Sequence, residues 1–310
     1  MLVHHLVEWL TGDARAVLPG WRAFSVTDAA AVMFFVAAGA SMALFVASRR
    51  RRGVVRWRVG AQVLRRYGML VPIGVALDWL LWRDPWMCGV LEVLGVTVVL
   101  GAAVAAALPA RALPVAAAAV VSVGVWTERA VAGRTDWWSS EVAGGKFPLV
   151  TYLGFVLVGV AAVRSGWFAD RRKMAAVAVG AAVVTLGTLA VGLVPARYPG
   201  DVHFVVPGLA VTLVVYALAQ LRWGAVLAGL DRVVRRAAAH TLGLFVAHYG
   251  VYAAARHVGL LGDVPGAVAV PAALVATVTL CLVAPRVPRL PWSLRTGARR
   301  SGGAAQVVRS

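Results

Sequence analysis

Every second polar loop of this chain is packed with arginine, and the loops between are not. Take the loops as lying alternately on one side and the other of a membrane. The first set is 49–66, 109–112, 164–173, 221–237 and 286–310, and it holds 23 of the 31 Lys+Arg. The opposite loops and helix ends share the other 8. Five arginine-rich loops in succession satisfy the positive-inside rule. The expected fold class is therefore all-α, a polytopic transmembrane helix bundle. It is expected in the cytoplasmic (inner) membrane, with the arginine-rich loops and the C-terminus in the cytoplasm.

Hydrophobic residues make up 61% of the 310 residues, and the mean hydropathy is +0.80. A soluble domain of this length would carry more charge. The formal net charge of +18 suggests nucleic acid at first sight. The arginines instead fall in short loops between apolar runs and not on one soluble face, so no nucleic-acid partner is expected. Insertion topology and anionic lipid account for them, and the bilayer is the first partner. Cys88 and Cys281 are expected near opposite ends of their spans, tens of Å apart across a core of about 30 Å, beyond disulfide reach.

Apolar runs long enough to cross fall at about 28–48, 67–83, 87–108, 112–130, 147–164, 173–194, 203–222, 239–257 and 264–285. That makes about nine full spans. Residues 1–10 are apolar but half a span long, and they lack a signal peptide's basic start and cleavage site. They read as the outer half of a truncated first helix. Residues 1–285 form one membrane domain, and the basic tail 286–310 reads as disordered.

Ionisable residues inside spans are costly, and they mark candidate sites. His4, His5, Glu8, Asp28, Asp78, Glu92, His240 and His248 are such residues, most of them in the outer half, and Tyr249 extends the polar strip beside His248. They suggest a polar cavity open to the outside. His4 and Glu8 are four apart, His5 and Glu8 three, so either pair can meet on one helix face. A histidine oriented by a carboxylate suits general-base chemistry. The alternative is that Glu8 snorkels to the interface beside Trp9. Asp28, after Ser25 and Thr27, also fits an ordinary charge at a helix start. Asp78 and Glu92 also fit a structural cluster with Arg83, and His248 an interhelical hydrogen bond.

No phosphate loop, dinucleotide turn, HExxH motif or cysteine pair occurs, and the chain contains no asparagine. Several stretches do carry a resemblance. Gly89-Val90-Leu91-Glu92-Val93-Leu94-Gly95-Val96-Thr97 is similar to the "GVLQRLGVT" helix of the heparan-alpha-glucosaminide N-acetyltransferase family of membrane acyltransferases. The stretch from Trp21 to Met42, with its Trp, Asp, aromatic run and Gly-x-Ser, resembles that family's outer loop and second helix. Lys146-Phe147-Pro148-Leu149 with Tyr152 to Arg164 looks like its "FP…G…GR" span, and Tyr198-Pro199-Gly200-Asp201 like its "YP" entry. Thr241 to Tyr249 resembles its near-C-terminal helix. Met1 to Leu10 resembles the end of its first helix, with His5 at the histidine. The ordered set covers most of the chain. A first-helix histidine also occurs in acyltransferase-3 type proteins. Glu92 stands where Gln is usual, His240 where Asn is common, and Leu18 where a luminal histidine is expected.

The resemblance implies an acyltransferase that takes acetyl-CoA or another acyl-CoA from the cytoplasm and a sugar or glycan acceptor outside. It implies no tightly bound cofactor and no metal, and leaves a homodimer open. On that reading His5 is the base, Glu8 its orienter, and Asp28 orients acceptor or base. His4, Asp78, Glu92, His240, His248 and Tyr249 line the cavity. Arg51, Arg52, Arg65 and Arg66 are candidates for the CoA phosphates, since Arg suits phosphate; topology alone also explains them. A non-catalytic or truncated homologue is an alternative, as is a transporter, although the inverted repeats expected of one are not found.

Overall fold

The computed structural model describes residues 29–82, 88–145, 147–167, 170–190, 202–219, 241–259 and 265–283. Among these the regular structure is entirely helical. We number the α-helices α1 (Ala29–Arg51), α2 (Arg56–Gly68), α3 (Leu70–Trp82), α4 (Val90–Ala107), α5 (Leu113–Val131), α6 (Leu149–Arg164), α7 (Arg171–Ala190), α8 (Val202–Ala219), α9 (Thr241–His257) and α10 (Gly266–Val283). A 3-10 turn, Ala110–Ala112, joins α4 to α5, and a single π turn, Trp138–Ala143, lies between α5 and α6.

Three segments are long and apolar enough to cross a membrane: Ala29–Arg51, Val90–Ala107 and Ala110–Val131. Leu149–Arg164, Phe204–Leu218 and Pro271–Leu280 are apolar but shorter. Each apolar run of the sequence is helical where described, but nine full-length spans are not observed. The clearest departure is 49–66, expected as a loop. Here α1 runs on to Arg51, and Arg56–Gly68 is a helix. Val59, Val63 and Tyr67 recur at four-residue spacing and are buried, which gives this arginine-rich segment an apolar stripe to pack on α4. Arginine is itself a good helix former. Met69 stays near helical geometry (φ −65°, ψ −16°), so α2 leads into α3 with only a bend.

The centre of the bundle is α6, which packs against α5 on one side and α1 on the other. The reason is the small residues along it. An added Cβ on Gly39 would fall 2.0 Å from the Val156 carbonyl oxygen, and one on Gly159 would fall 2.0 Å from that of Val36. The α1 and α6 backbones therefore touch, the arrangement small residues permit between membrane helices. The Gly-x-Ser of α1 thus has a packing role through Gly39. Around this contact Phe35, Tyr152 and Phe155 are buried, with ring centroids 4.5 Å apart for Phe35–Tyr152 and 5.3 Å for Tyr152–Phe155. Outward-facing residues of α7 are apolar and exposed, among them Val179, Val183 and Leu186. Such a surface suits lipid and not water.

Candidate acidic site between three helices

The α3–α4 hairpin brings two carboxyl groups together. Asp78 ends the third turn of α3 and Glu92 lies in the first turn of α4; both are buried. Two glycines make the room. An added Cβ on Gly89 would fall 2.6 Å from Asp78 Oδ2 and 2.8 Å from Glu92 Oε2. One on Gly74 would fall 2.3 Å from the Glu92 carboxyl carbon. Any larger residue at either position would displace the pair. Side-by-side buried carboxyl groups can hold a proton between them.

The third wall is α9. Tyr249, Tyr252 and Arg256 stand at i, i+3 and i+7, on one helix face. Tyr249 is within electrostatic range of both Asp78 and Glu92. At the helix end, Arg256 Nη1 donates a 2.8 Å hydrogen bond to the Leu81 carbonyl oxygen of α3. His248 is buried, four residues before buried Tyr252, and its ring centroid is 4.3 Å from that of Tyr249. Asp78, Glu92 and Tyr249 are thus brought to one place, with His248 on the same helix. The π turn is tied to the residues that lead into α4. The Cys88 N–H donates to Glu141 Oε2 at 3.4 Å, and Cys88 is within electrostatic range of Glu141, Glu92 and Asp78.

One buried acid escaped the sequence reading. Glu128 sits in the last turn of α5 and is 1% exposed. It accepts a short hydrogen bond from Thr151 Oγ1 of α6. Its neighbours Trp126 and Arg129 suggest a helix end in water, where a carboxylate needs no partner. The usable signal was Gly124, one turn before it. That glycine faces the Thr151 backbone, with 2.6 Å from an added Cβ to the Thr151 nitrogen, so this flank of α5 is the one pressed on α6.

Of the other expected site residues, His4, His5, Glu8, Asp28 and His240 lie outside the described residues, as does Arg83. Arg51, Arg52, Arg65 and Arg66 are exposed, in α2 and the corner that precedes it, and no contact joins them to the acid pair among the described residues. Arg66 lies over the rings of Phe45 and Tyr67, at 5.4 and 5.6 Å. Among the described residues no cluster of three or more His, Cys, Asp or Glu side chains could hold a metal ion. Comparison of the chain with protein-family models, with curated proteins and with solved structures gives no match.

Proposed function

We propose that this is a polytopic membrane acyltransferase of about nine full spans, moving an acyl group from acyl-CoA to a sugar or glycan acceptor. One observation supports the reading above others. Two stretches that carry the family resemblance, Gly89–Thr97 and Thr241–Tyr249, are about 150 residues apart in the sequence. They come together around the Asp78–Glu92 pair, where Tyr249 is within electrostatic range of both carboxyl groups. A buried polar site built from these two helices is what an acceptor with several hydroxyls requires.

In the proposed reaction the acceptor hydroxyl or amine gives its proton to His5, held by Glu8. The acceptor oxygen or nitrogen bonds to the thioester carbonyl carbon. The C–S bond then breaks, and CoA leaves as a thiol after taking up a proton. Asp28 orients the acceptor or the base. Asp78, Glu92 and Tyr249, with His4, His240 and His248, form the polar wall for the acceptor. Fixed dipoles in a water-poor site stabilise the oxyanion. Acyl-CoA phosphates would be met on the arginine-rich side, by Arg51, Arg52, Arg65 and Arg66.

The test is release of free CoA thiol by membranes carrying the full chain, given acetyl-CoA and a panel of glycans. His5→Ala should lower the rate by about 10²–10⁴ and leave membrane insertion intact. Glu8→Gln should cost less, since it orients the base and transfers no proton. Equal release by His5→Ala would remove His5 from the mechanism. No thiol release by the wild type with any acyl-CoA would favour a non-catalytic homologue.

A further inference from the structure

A second site lies around the corner between α1 and α2, and its chemistry is cationic. Between Arg49 and Arg66 the chain carries eight arginines and no acidic residue; the nearest Asp or Glu along the chain are Asp28 and Asp78. Among the described residues no carboxylate lies within ion-pair distance of any of the eight, and the ion pair observed there is Lys173 with Asp170.

The corner that presents them is fixed by its backbone. The Val54 N–H bonds the Arg49 carbonyl at 3.1 Å, and the Gly53 N–H bonds that of Arg50 at 3.0 Å. This is a Schellman closure, with Gly53 supplying the required left-handed residue at φ 73°. Backbone groups therefore satisfy these two carbonyls of α1, and the arginine side chains are not needed to cap them. Below the corner is an open hollow of about 530 Å³ whose lining includes Arg52, Val55, Trp57 and Arg58.

The neighbours of these cations are apolar. Trp57 is 70% exposed and Leu64 58%. Seven residues apart, they share one exposed side of α2 next to the stripe buried on α4, and Arg58 and Arg65, also seven apart, lie beside them on the side turned away from α4. A soluble anion would leave that tryptophan and leucine in water. An anion that brings its own hydrocarbon would cover them. The combination of a basic flank with exposed Trp and Leu is that of a helix that engages anionic lipid.

We propose that Arg52, Trp57, Arg58 and Arg65 form a binding site for the phosphate headgroup of an anionic phospholipid, with Trp57 and Leu64 against its acyl chains. The experiment uses the full chain in detergent, measuring thermal stabilisation by added phosphatidylglycerol, phosphatidylcholine, inorganic phosphate or free CoA. Phosphatidylglycerol should stabilise, and phosphatidylcholine and phosphate should not. Arg52→Gln with Arg58→Gln should weaken apparent lipid affinity on the order of fivefold per arginine. Arg129→Gln with Arg134→Gln, the same charge lost at the far end, should leave it unchanged and controls for net charge. Trp57→Ala should weaken binding while leaving the charge intact. Equal stabilisation by phosphatidylcholine would overturn the proposal. So would a phosphatidylglycerol preference untouched by the Arg52/Arg58 change. Stabilisation by free CoA that depends on Arg52 and Arg58 and competes with lipid would assign the hollow to the acyl donor instead. The lipid site takes Arg52 and Arg65 from the acyl-CoA phosphates and leaves Arg51 and Arg66 for that role; thiol release is a separate readout, so failure here leaves the transferase reading standing.

Discussion

Replacing Thr151 with valine keeps the shape of its side chain and removes a hydroxyl that donates to buried Glu128. A buried carboxyl group that loses a donor costs about 1–3 kcal/mol. Thr151→Val should therefore destabilise the detergent-solubilised protein by that order, while Glu128→Gln, which retains an acceptor for Thr151, should cost less. Denaturation followed by helical circular dichroism measures both; equal stability of Thr151→Val and wild type would make the bond energetically idle. Asp170 offers a pH handle at the start of α7. Its Oδ1 accepts the Arg172 and Lys173 backbone N–H groups at 3.0 and 3.2 Å. The Lys173 backbone N–H is the main cause that holds its carboxyl below the usual carboxylate range, with Arg172 N–H and the Lys173 side chain adding to it against some desolvation. A depressed folded pKa contributes stability that is present above the unfolded value, about 4. That contribution is lost as pH falls through the lower, folded value. In an acid titration Asp170→Asn, which still caps the helix, should lose less stability than wild type. Parallel titration curves would assign the acid sensitivity to other groups.

Between helices, contact distance separates glycines that matter from those that do not. Gly39→Ala places a Cβ against the Val156 carbonyl, and Gly159→Ala one against that of Val36. Neither neighbour is a flexible side-chain tip, so α1 and α6 must part, at about 1–3 kcal/mol each. Gly180→Ala on α7 meets nothing within 4 Å, and should stabilise by about 0.5–1 kcal/mol through helix propensity. Melting temperatures of the three variants test this; a Gly39→Ala melt at or above that of Gly180→Ala would refute the α1–α6 contact. These contacts also mark what sequence shows and what it hides. The runs that became α1, α4 and α5 were legible because uninterrupted apolar residues admit no other structure. Gly39, Gly154 and Gly159 stand in the sequence as small residues in apolar runs, but which helices they join is a pairing in space that the sequence does not show. Residues 49–66 read as a loop because their eight arginines outweighed the four-residue spacing of Val59 and Val63, which Tyr67 continues. Asp78 and Glu92 were readable as neighbours because a short hairpin joins them, whereas Tyr249 reaches them from a helix far along the chain. Glu128 was hidden because a carboxylate near a helix end looks solvated until its partner helix is known.

At the scale of the molecule, side-chain bonds sort the helix ends onto two faces. Arg164, at the end of α6, donates to the Ala105 and Leu108 carbonyls at the end of α4. It thus sets those two ends together on the face that also carries Arg111, and closes orphan carbonyls where a cation is favoured. The bonds from Arg256 to Leu81 and from Cys88 to Glu141 set the ends of α9 and α3 and the π turn together on the other. The first face is arginine-rich and the second holds the acid pair and Glu141. In a bilayer this asymmetry determines orientation, because translocating a cluster such as Arg49–Arg52 is far costlier than retaining it. The positive-inside rule therefore predicts Val54 in the cytoplasm and Arg134 outside, which would open the acid pair to the acceptor's side. The measurement is labelling of intact cells with a membrane-impermeant maleimide, in a background with Cys88 and Cys281 replaced by serine. Arg134→Cys should label in intact cells and Val54→Cys only after permeabilisation. The reverse pattern would invert the molecule and set the acid pair in the cytoplasm. An acceptor outside the cell could not then reach Asp78 and Glu92, and the transferase reading would fail on geometry even if thiol release were observed with a soluble acceptor.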